Sequence, residues 1–90
     1  MNALSDWHGE PEVRAIEDKI KVFCIDMCMS IEMHMGVEYE VHCHQKDVHM
    51  TYRLLRKLAQ ISLRDGIKGK FAFTTRDVQG NTIRHSISAW

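Results

Sequence analysis

Apolar and polar residues alternate along the chain between residues 23 and 43. Every odd position from Phe23 to Cys43 carries an apolar side chain, and most of the even positions between them are polar. Successive side chains of a strand point to opposite faces, so this pattern predicts β-structure rather than a methionine-rich helix. Gly36 divides the stretch. We therefore predict a hairpin with one strand ending near Met33, a second over residues 37–45, and a three-residue loop at 34–36.

Helical periodicity is found on both sides of this hairpin. Pro11 suits a first helical turn, and the apolar spacing that follows it predicts a short helix over residues 11–19. Asp47 is a good N-cap and Gly66 a good stop, which predicts the main helix over residues 48–65. Its expected apolar arc comprises Val48, Met50, Tyr52, Leu54, Leu55, Leu58, Ala59, Ile61 and Leu63.

A second hairpin is predicted over residues 70–90, with a three-residue loop at 78–80 that ends in glycine. Its aligned odd positions are Phe71, Phe73, Thr75, Ile83, Ile87 and Ala89. The predicted fold is a two-layer α+β domain of element order α-β-β-α-β-β. Two hairpins form an antiparallel sheet, and the main helix covers one face of it. The domain spans residues 1–90, with residues 1–10 expected to be flexible.

Length and composition narrow the class of protein. Ninety residues, 44% hydrophobic and 27% charged, are typical of one soluble globular domain. No apolar run approaches the ~20 residues of a membrane span, and the N-terminus lacks the basic start and apolar core of a signal peptide. Three cysteines without a secretory signal indicate a reducing compartment. We therefore expect a cytoplasmic protein that does not contact a membrane.

A net charge of zero hides a division of charge along the chain. Residues 1–45 hold nine acidic and three basic residues, and residues 46–90 hold three acidic and nine basic ones. This asymmetry indicates either a macromolecular partner or attraction between the two halves. The candidate basic surface comprises Arg53, Arg56, Lys57, Arg64, Lys68, Lys70, Arg76 and Arg84. The candidate acidic face comprises Asp26, Glu32, Glu38 and Glu40. We expect the acidic residues on the open sheet face and Arg53, Arg56, Lys57 and Arg64 on the outer face of the helix, with the other basic residues extending that surface.

Known catalytic and nucleotide-binding patterns, such as GxxxxGK[ST], HExxH and GxSxG, do not occur in the chain. We therefore predict a non-enzymatic interaction protein of regulator or inhibitor type that binds a protein or nucleoprotein partner, with no cofactor. The alternative is a nucleic-acid-binding protein that uses the basic face of the main helix.

A second alternative is a zinc-stabilised module. A loop at 34–36 would pair residues whose numbers sum to 70, which places Cys28 opposite His42 and Asp26 opposite His44 on the polar face. Four such ligands could close on one zinc ion, although an exposed polar face with incidental histidines is the more common origin of such a set. Cys43 and His85 stand at odd positions, whose side chains are predicted to face the core, so we expect a buried thiol and a hydrogen-bonded histidine.

The first strand of the hairpin offers more apolar surface than the main helix can cover. It carries a methionine stripe at Met27, Met29, Met33 and Met35, and methionine is common at permissive binding surfaces. This surplus predicts a homodimer that covers residues 23–33.

Overall fold

The computed structural model describes residues 7–32 and 36–88. The chain forms a mixed α+β domain with two helices and one four-stranded sheet. Its elements are α1 (Pro11–Phe23), β1 (Cys24–Glu32), β2 (Gly36–His44), a 3-10 turn (Gln45–Asp47), α2 (Val48–Arg64), β3 (Lys68–Arg76) and β4 (Thr82–Ser88). Residues 7–9 are also helical.

The strands lie in the order β1-β2-β3-β4, and the central pair is parallel. The β1–β2 and β3–β4 pairs are antiparallel hairpins. The prediction of an antiparallel sheet is therefore wrong at the junction of the two hairpins. A crossover helix carries the chain back to the end of the sheet at which β2 begins. The strands on either side of α2 therefore run in the same direction. With 17 residues, α2 spans ~26 Å, close to the ~30 Å of a nine-residue strand.

Both helices pack on the same face of the sheet, and the core lies between the helices and the sheet. The central strands supply Val37, Tyr39, Val41, Cys43, Phe71 and Phe73 to this core, and the helices supply Val13, Ile16, Ile20, Leu54, Leu55, Leu58, Ala59 and Ile61. Trp7, in the segment expected to be flexible, is buried in the same core, and its indole Nε1 donates to Asp65 Oδ2 at 3.1 Å.

The first hairpin departs from its predicted bounds and register. Helix α1 continues to Phe23 instead of ending at residue 19. β1 is a strand, as predicted, but its register shifts between Cys24 and Asp26. As a result Cys24 packs against the core while Ile25 is 45% exposed, so the odd-position rule fails here.

From Asp26 onward, paired residues in this hairpin have numbers that sum to 68 instead of 70. The last pair joins Glu32 to Gly36, which makes Gly36 the first residue of β2 and not part of the loop. Residues 33–35, with the two methionines predicted there, and the side chain of Met29 lie outside the described part of the chain. So does Ala89 of the second hairpin.

Helix α2 and the second hairpin agree closely with the prediction. Gly66 ends the helix with a φ of +73°, and Gly80 closes the β3–β4 turn with a φ of +86°. Phe71 pairs with Ile87 and Thr75 with Ile83, as expected. The apolar arc of α2 is shifted, because Thr51 and Ser62 are also buried. The outer members of the predicted arc, Met50, Tyr52 and Leu63, are exposed.

Candidate functional site

The face of the sheet opposite the helices is open and carries the even-numbered residues of the described strands from Asp26 onward. Residues that are partners in the register share a face, so β3 and β4 present their charged residues beside those of β2. The predicted extension of the basic helix surface by residues of β3 and β4 is therefore wrong. Four of the candidate basic residues lie on this open face instead of extending the helix surface: Lys68, Lys70, Arg76 and Arg84.

Charge on the open face is divided by strand. The acidic residues Asp26, Glu38 and Glu40 lie on β1 and β2, whereas the basic ones lie on β3 and β4. Arg84 Nη1 reaches Glu40 Oε1 at 3.2 Å, so an ion pair links β4 with β2. Glu32 belongs to β1 by its backbone, and its side chain lies outside the described part. The open face thus has an acidic half and a basic half side by side.

Three potential metal ligands meet on the acidic half. One donor atom each from Asp26, Cys28 and His42 lies within 4.8 Å of the other two. Asp26 and Cys28 are two residues apart on β1, and His42 is the direct partner of Asp26 across the hairpin. The Cys28 thiol donates to Asp26 Oδ2 at an Sγ–Oδ2 distance of 3.9 Å.

His44, the fourth predicted ligand, is not part of this cluster. The sequence placed it opposite Asp26, but the observed register gives that position to His42. The register shift between Cys24 and Asp26 then pairs Cys24 with Cys43, so β1 offers no partner to His44. Three of the four predicted ligands come together. The two-residue change in register brings His42 opposite Asp26 and leaves His44 outside the cluster.

The other two thiols lie on the helix side of the sheet. Burial raises the pKa of Cys24 to about 12, and its Sγ lies 3.9 Å from Thr51 Oγ1. Burial also raises the pKa of Cys43, which is fully buried as predicted. Cys28 is the one exposed cysteine of the three. His85 is the expected hydrogen-bonded histidine, with Nε2 at 3.2 Å from Thr75 Oγ1.

The outer face of α2 carries the remaining basic residues. Arg53, Arg56 and Lys57 are exposed, and within the described ranges 7–32 and 36–88 none of them forms an ion pair. Arg64, at the end of the same helix, contacts Asp65 at 3.1 Å and Glu12 of α1 at 3.4 Å. Its hydrogen bond to Asp65 raises the pKa of Arg64. Arg53, Arg56 and Lys57 therefore form the part of the helix surface whose positive charge no described acidic residue neutralises.

Shallow grooves run along both sides of α2. The α1–α2 groove, of about 360 Å³, contains the Glu12–Arg64 ion pair on its rim. The α2–β4 groove, of about 390 Å³, is lined by Tyr52, Arg56, Ala59, Gln60, Leu63, Ser86 and Ile87. Arg56 is the charged residue of this second lining, which includes no carboxylate among the described side chains.

No family model matches this chain, and no curated protein or solved structure is similar to it. Neither α1 nor α2, the helices of the described part, has the length and apolarity needed to span a membrane.

Sequence reasoning missed a buried polar group under Trp7. Glu17 of α1 is 7% exposed, and its Oε2 lies 3.7 Å from His8 Nδ1, which is 3.4 Å from the Tyr39 hydroxyl. Burial raises the pKa of Glu17 and lowers that of His8. Burial likewise raises the pKa of Tyr39. Glu17 follows Val13 by four residues and precedes Ile20 by three, so the period of α1 already placed its side chain on the buried face.

Proposed function

We propose that this protein is a non-enzymatic interaction module that binds an extended, acidic segment of a partner protein along the α2–β4 groove. The observation that carries the proposal is the position of Arg56. It lines a groove of mixed polar and apolar residues without a carboxylate beside it, next to β4, the edge strand of the described sheet. A protein that binds a segment of another protein in this way would act as a regulator or inhibitor, which is the class of function that the sequence favours.

The two grooves beside α2 differ in how their charges are neutralised. Arg64 on the α1–α2 side contacts Glu12 of the same chain. Arg56 on the α2–β4 side has no such contact within the described part, and Arg53 and Lys57 extend the positive surface. Electrostatic complementarity sets specificity and association rate at interfaces. The α2–β4 groove is thus suited to carboxylates supplied by a partner.

The apolar lining of this groove supplies contact area beside the charge. Tyr52 is 42% exposed and Leu63 54% exposed, although both lie on the helix that covers the core. Tyrosine and arginine are enriched among residues that dominate binding energy. Successive side chains of an extended segment face opposite sides, so a segment whose groove-facing residues are apolar and acidic in turn would meet Tyr52, Arg56 and Leu63.

The free edge of β4 gives the partner a backbone to pair with. β4 pairs with β3 on one side only, over seven regular pairs. Ile83, on the helix side of this edge, is 56% exposed. β1 also lies at an edge, but its ladder is interrupted between Cys24 and Asp26, and such irregularities discourage strand addition. Strand addition at β4 would place alternate partner side chains in the groove.

A second copy of this chain fits the groove less well than an acidic partner does. Strand β4 carries one charged residue, Arg84, and no acid, so its addition to a second β4 would leave Arg56 without a carboxylate. The homodimer through residues 23–33 and the cytoplasmic location stay predictions from the sequence. Sedimentation at several concentrations tests the first of them.

The test uses three synthetic peptides of the repeat Val-Ser-Xaa-Ser, in which Xaa is glutamate, lysine or serine, so that valine and Xaa face the same side of an extended chain. We expect the glutamate peptide to bind most tightly, to lose affinity with added salt, and to shift the backbone amide resonances of β4. The double reversal R53E/R56E should abolish this binding. The matched control K68E/K70E makes the same change of charge on the open face and should leave binding intact.

Two outcomes would overturn the proposal. One is equal binding of the glutamate and lysine peptides, because charge would then play no part. The other is strong, salt-dependent binding of an oligonucleotide that R53E/R56E removes, with no peptide shifting the β4 amides. That second result would favour the nucleic-acid alternative, in which basic residues track phosphates.

A further inference from the structure

We propose that Asp26, Cys28 and His42 form a binding site for a divalent transition metal ion of the Zn²⁺ class on the open face of the sheet. The site lies on the β1–β2 hairpin, on the face opposite α2, and is independent of the proposed peptide groove. It joins two residues of β1 to one of β2, so a bound ion would link the two strands through their side chains.

The donor atoms are already close to the separations that one ion requires. With metal–ligand distances of ~2.0–2.3 Å, two ligands of a tetrahedral zinc ion lie ~3.3–3.5 Å apart. The Cys28 Sγ and Asp26 Oδ2 atoms are 3.9 Å apart, and the whole set lies within 4.8 Å. Small side-chain rotations bring all three donors to an ion, because Asp26 and Cys28 are exposed and unconstrained by the core.

The chemistry of the three donors selects the class of metal. A thiolate and an imidazole favour Zn²⁺ and similar borderline ions, whereas Mg²⁺ and Ca²⁺ prefer oxygen ligands alone. Three protein ligands leave a fourth position for water. Glu40, the partner of Cys28 in the register, is a further carboxylate on the same face, and its Oε1 contacts Arg84 at 3.2 Å. Arg84 thus holds Glu40 in an ion pair and away from the metal.

Cobalt(II) is the best probe, because a thiolate bound to cobalt gives a charge-transfer absorption that reports the sulfur ligand. Cys24 and Cys43 face the helix side of the sheet, so this absorption would identify Cys28. We expect one Co²⁺ per chain with a thiolate band, displaced by stoichiometric Zn²⁺ and not by Mg²⁺. C28S should abolish the band. D26N and H42Q should each weaken Zn²⁺ binding by more than the ~10–100-fold that loss of a supporting residue costs.

His44 gives a matched control, since it is an exposed histidine on the same strand and face, outside the cluster. H44Q should bind Zn²⁺ within about twofold of the unchanged protein, a difference of about 0.4 kcal/mol. Circular dichroism of each variant verifies that the fold is retained. The proposal is overturned if the cobalt complex has no thiolate band, if C28S binds Zn²⁺ as tightly as the unchanged chain, or if H44Q weakens binding as much as H42Q.

Discussion

Arg84 on β4 contacts Glu40 on β2 across the intervening strand, with 3.2 Å between Nη1 and Oε1. Both side chains are about half exposed, so the pair itself contributes only ~0–1 kcal/mol to the free energy of unfolding. Its larger effect is on position, because it draws Glu40 toward the basic half of the open face.

This position leads to a prediction about metal affinity. In R84A, Glu40 loses its ion pair and becomes available as a fourth ligand beside Cys28. We expect Zn²⁺ to bind up to about fivefold more tightly, because the gain cannot exceed the ~0–1 kcal/mol that breaking the ion pair costs, measured by competition with Co²⁺. The double variant R84A/E40Q should return the affinity to its original value. Unchanged affinity in R84A would show that Glu40 does not reach the ion.

The three cysteines should differ sharply in reactivity. Thiolates are the reactive form, and burial raises the pKa of Cys24 to about 12 and raises that of Cys43. We expect a thiol-specific disulfide reagent to modify one cysteine rapidly in the native protein and the other two only on unfolding. C28S should remove the rapid phase. A rapid phase that survives in C28S would contradict the burial of the other two thiols.

Zinc adds a second readout to the same experiment. A thiolate bound to the ion is shielded from the reagent, so Zn²⁺ should slow the rapid phase in the unchanged protein. H42Q should lose most of this protection, while H44Q should keep it.

The buried pair His8 and Glu17 predicts two opposite dependences of stability on pH. Burial raises the pKa of Glu17, so its ionisation opposes folding above the raised value, and this cost disappears as pH falls toward 4.5. Burial lowers the pKa of His8, so below 6.5 the unfolded chain takes up the proton more readily and stability falls.

Urea unfolding between pH 7 and pH 5 separates the two contributions. Relative to the unchanged protein, E17Q should lose stability as pH decreases, because the amide that replaces the Glu17 carboxyl cannot gain from protonation. H8Q should gain relative stability over the same range, because the penalty at His8 is absent. Equal slopes for the two variants would contradict the assignment.

Much of the fold follows from local pattern. Alternation over residues 70–88 and the glycine at position 80 predict the second hairpin and its register, because a tight turn with a positive φ leaves one pairing. The main helix is predicted to within a residue of its end by Asp47 and Gly66. These features depend on neighbours in the chain.

Features that depend on tertiary packing were not predictable in the same way. Helix α1 continues through residues 21–23, where an alternating pattern suggests a strand, because Ile20 and Phe23 pack against the core on the helical period. The register shift between Cys24 and Asp26 directly follows this helix in the chain. Gly36 belongs to β2 and not to the loop, which changes the predicted pairing by two positions, so His42 and not His44 lies opposite Asp26. To predict the parallel pairing of β2 with β3 would have required knowledge of where α2 ends relative to β2.

Gly69 of β3 marks the tightest packing between the central strands. A Cβ atom there would lie 2.6 Å from Phe71 Cε2 and 3.3 Å from the backbone oxygen of Val37. Phe71 is buried and stacks on Tyr39 at 5.3 Å, so the ring has little room to move. We expect G69A to lower the free energy of unfolding by ~1–3 kcal/mol.

Gly9 gives the control for this substitution. Nothing lies within 4 Å of a Cβ at that position, which is helical. G9A should therefore leave stability unchanged or raise it by up to ~1 kcal/mol. Equal losses in G9A and G69A, measured by thermal unfolding, would contradict the close contact at Gly69.

The parallel pairing of β2 with β3 also determines the order in which the chain can assemble. Each pair of this ladder joins residues 32 positions apart, as Gly36 with Lys68, whereas the two hairpins pair residues within their own short segments. Isolated hairpins form in ~1–10 μs, but closing the long central loop costs chain entropy before any contact compensates for it. We therefore expect the docking of one hairpin on the other, with α2 between them, to be the slow step of folding.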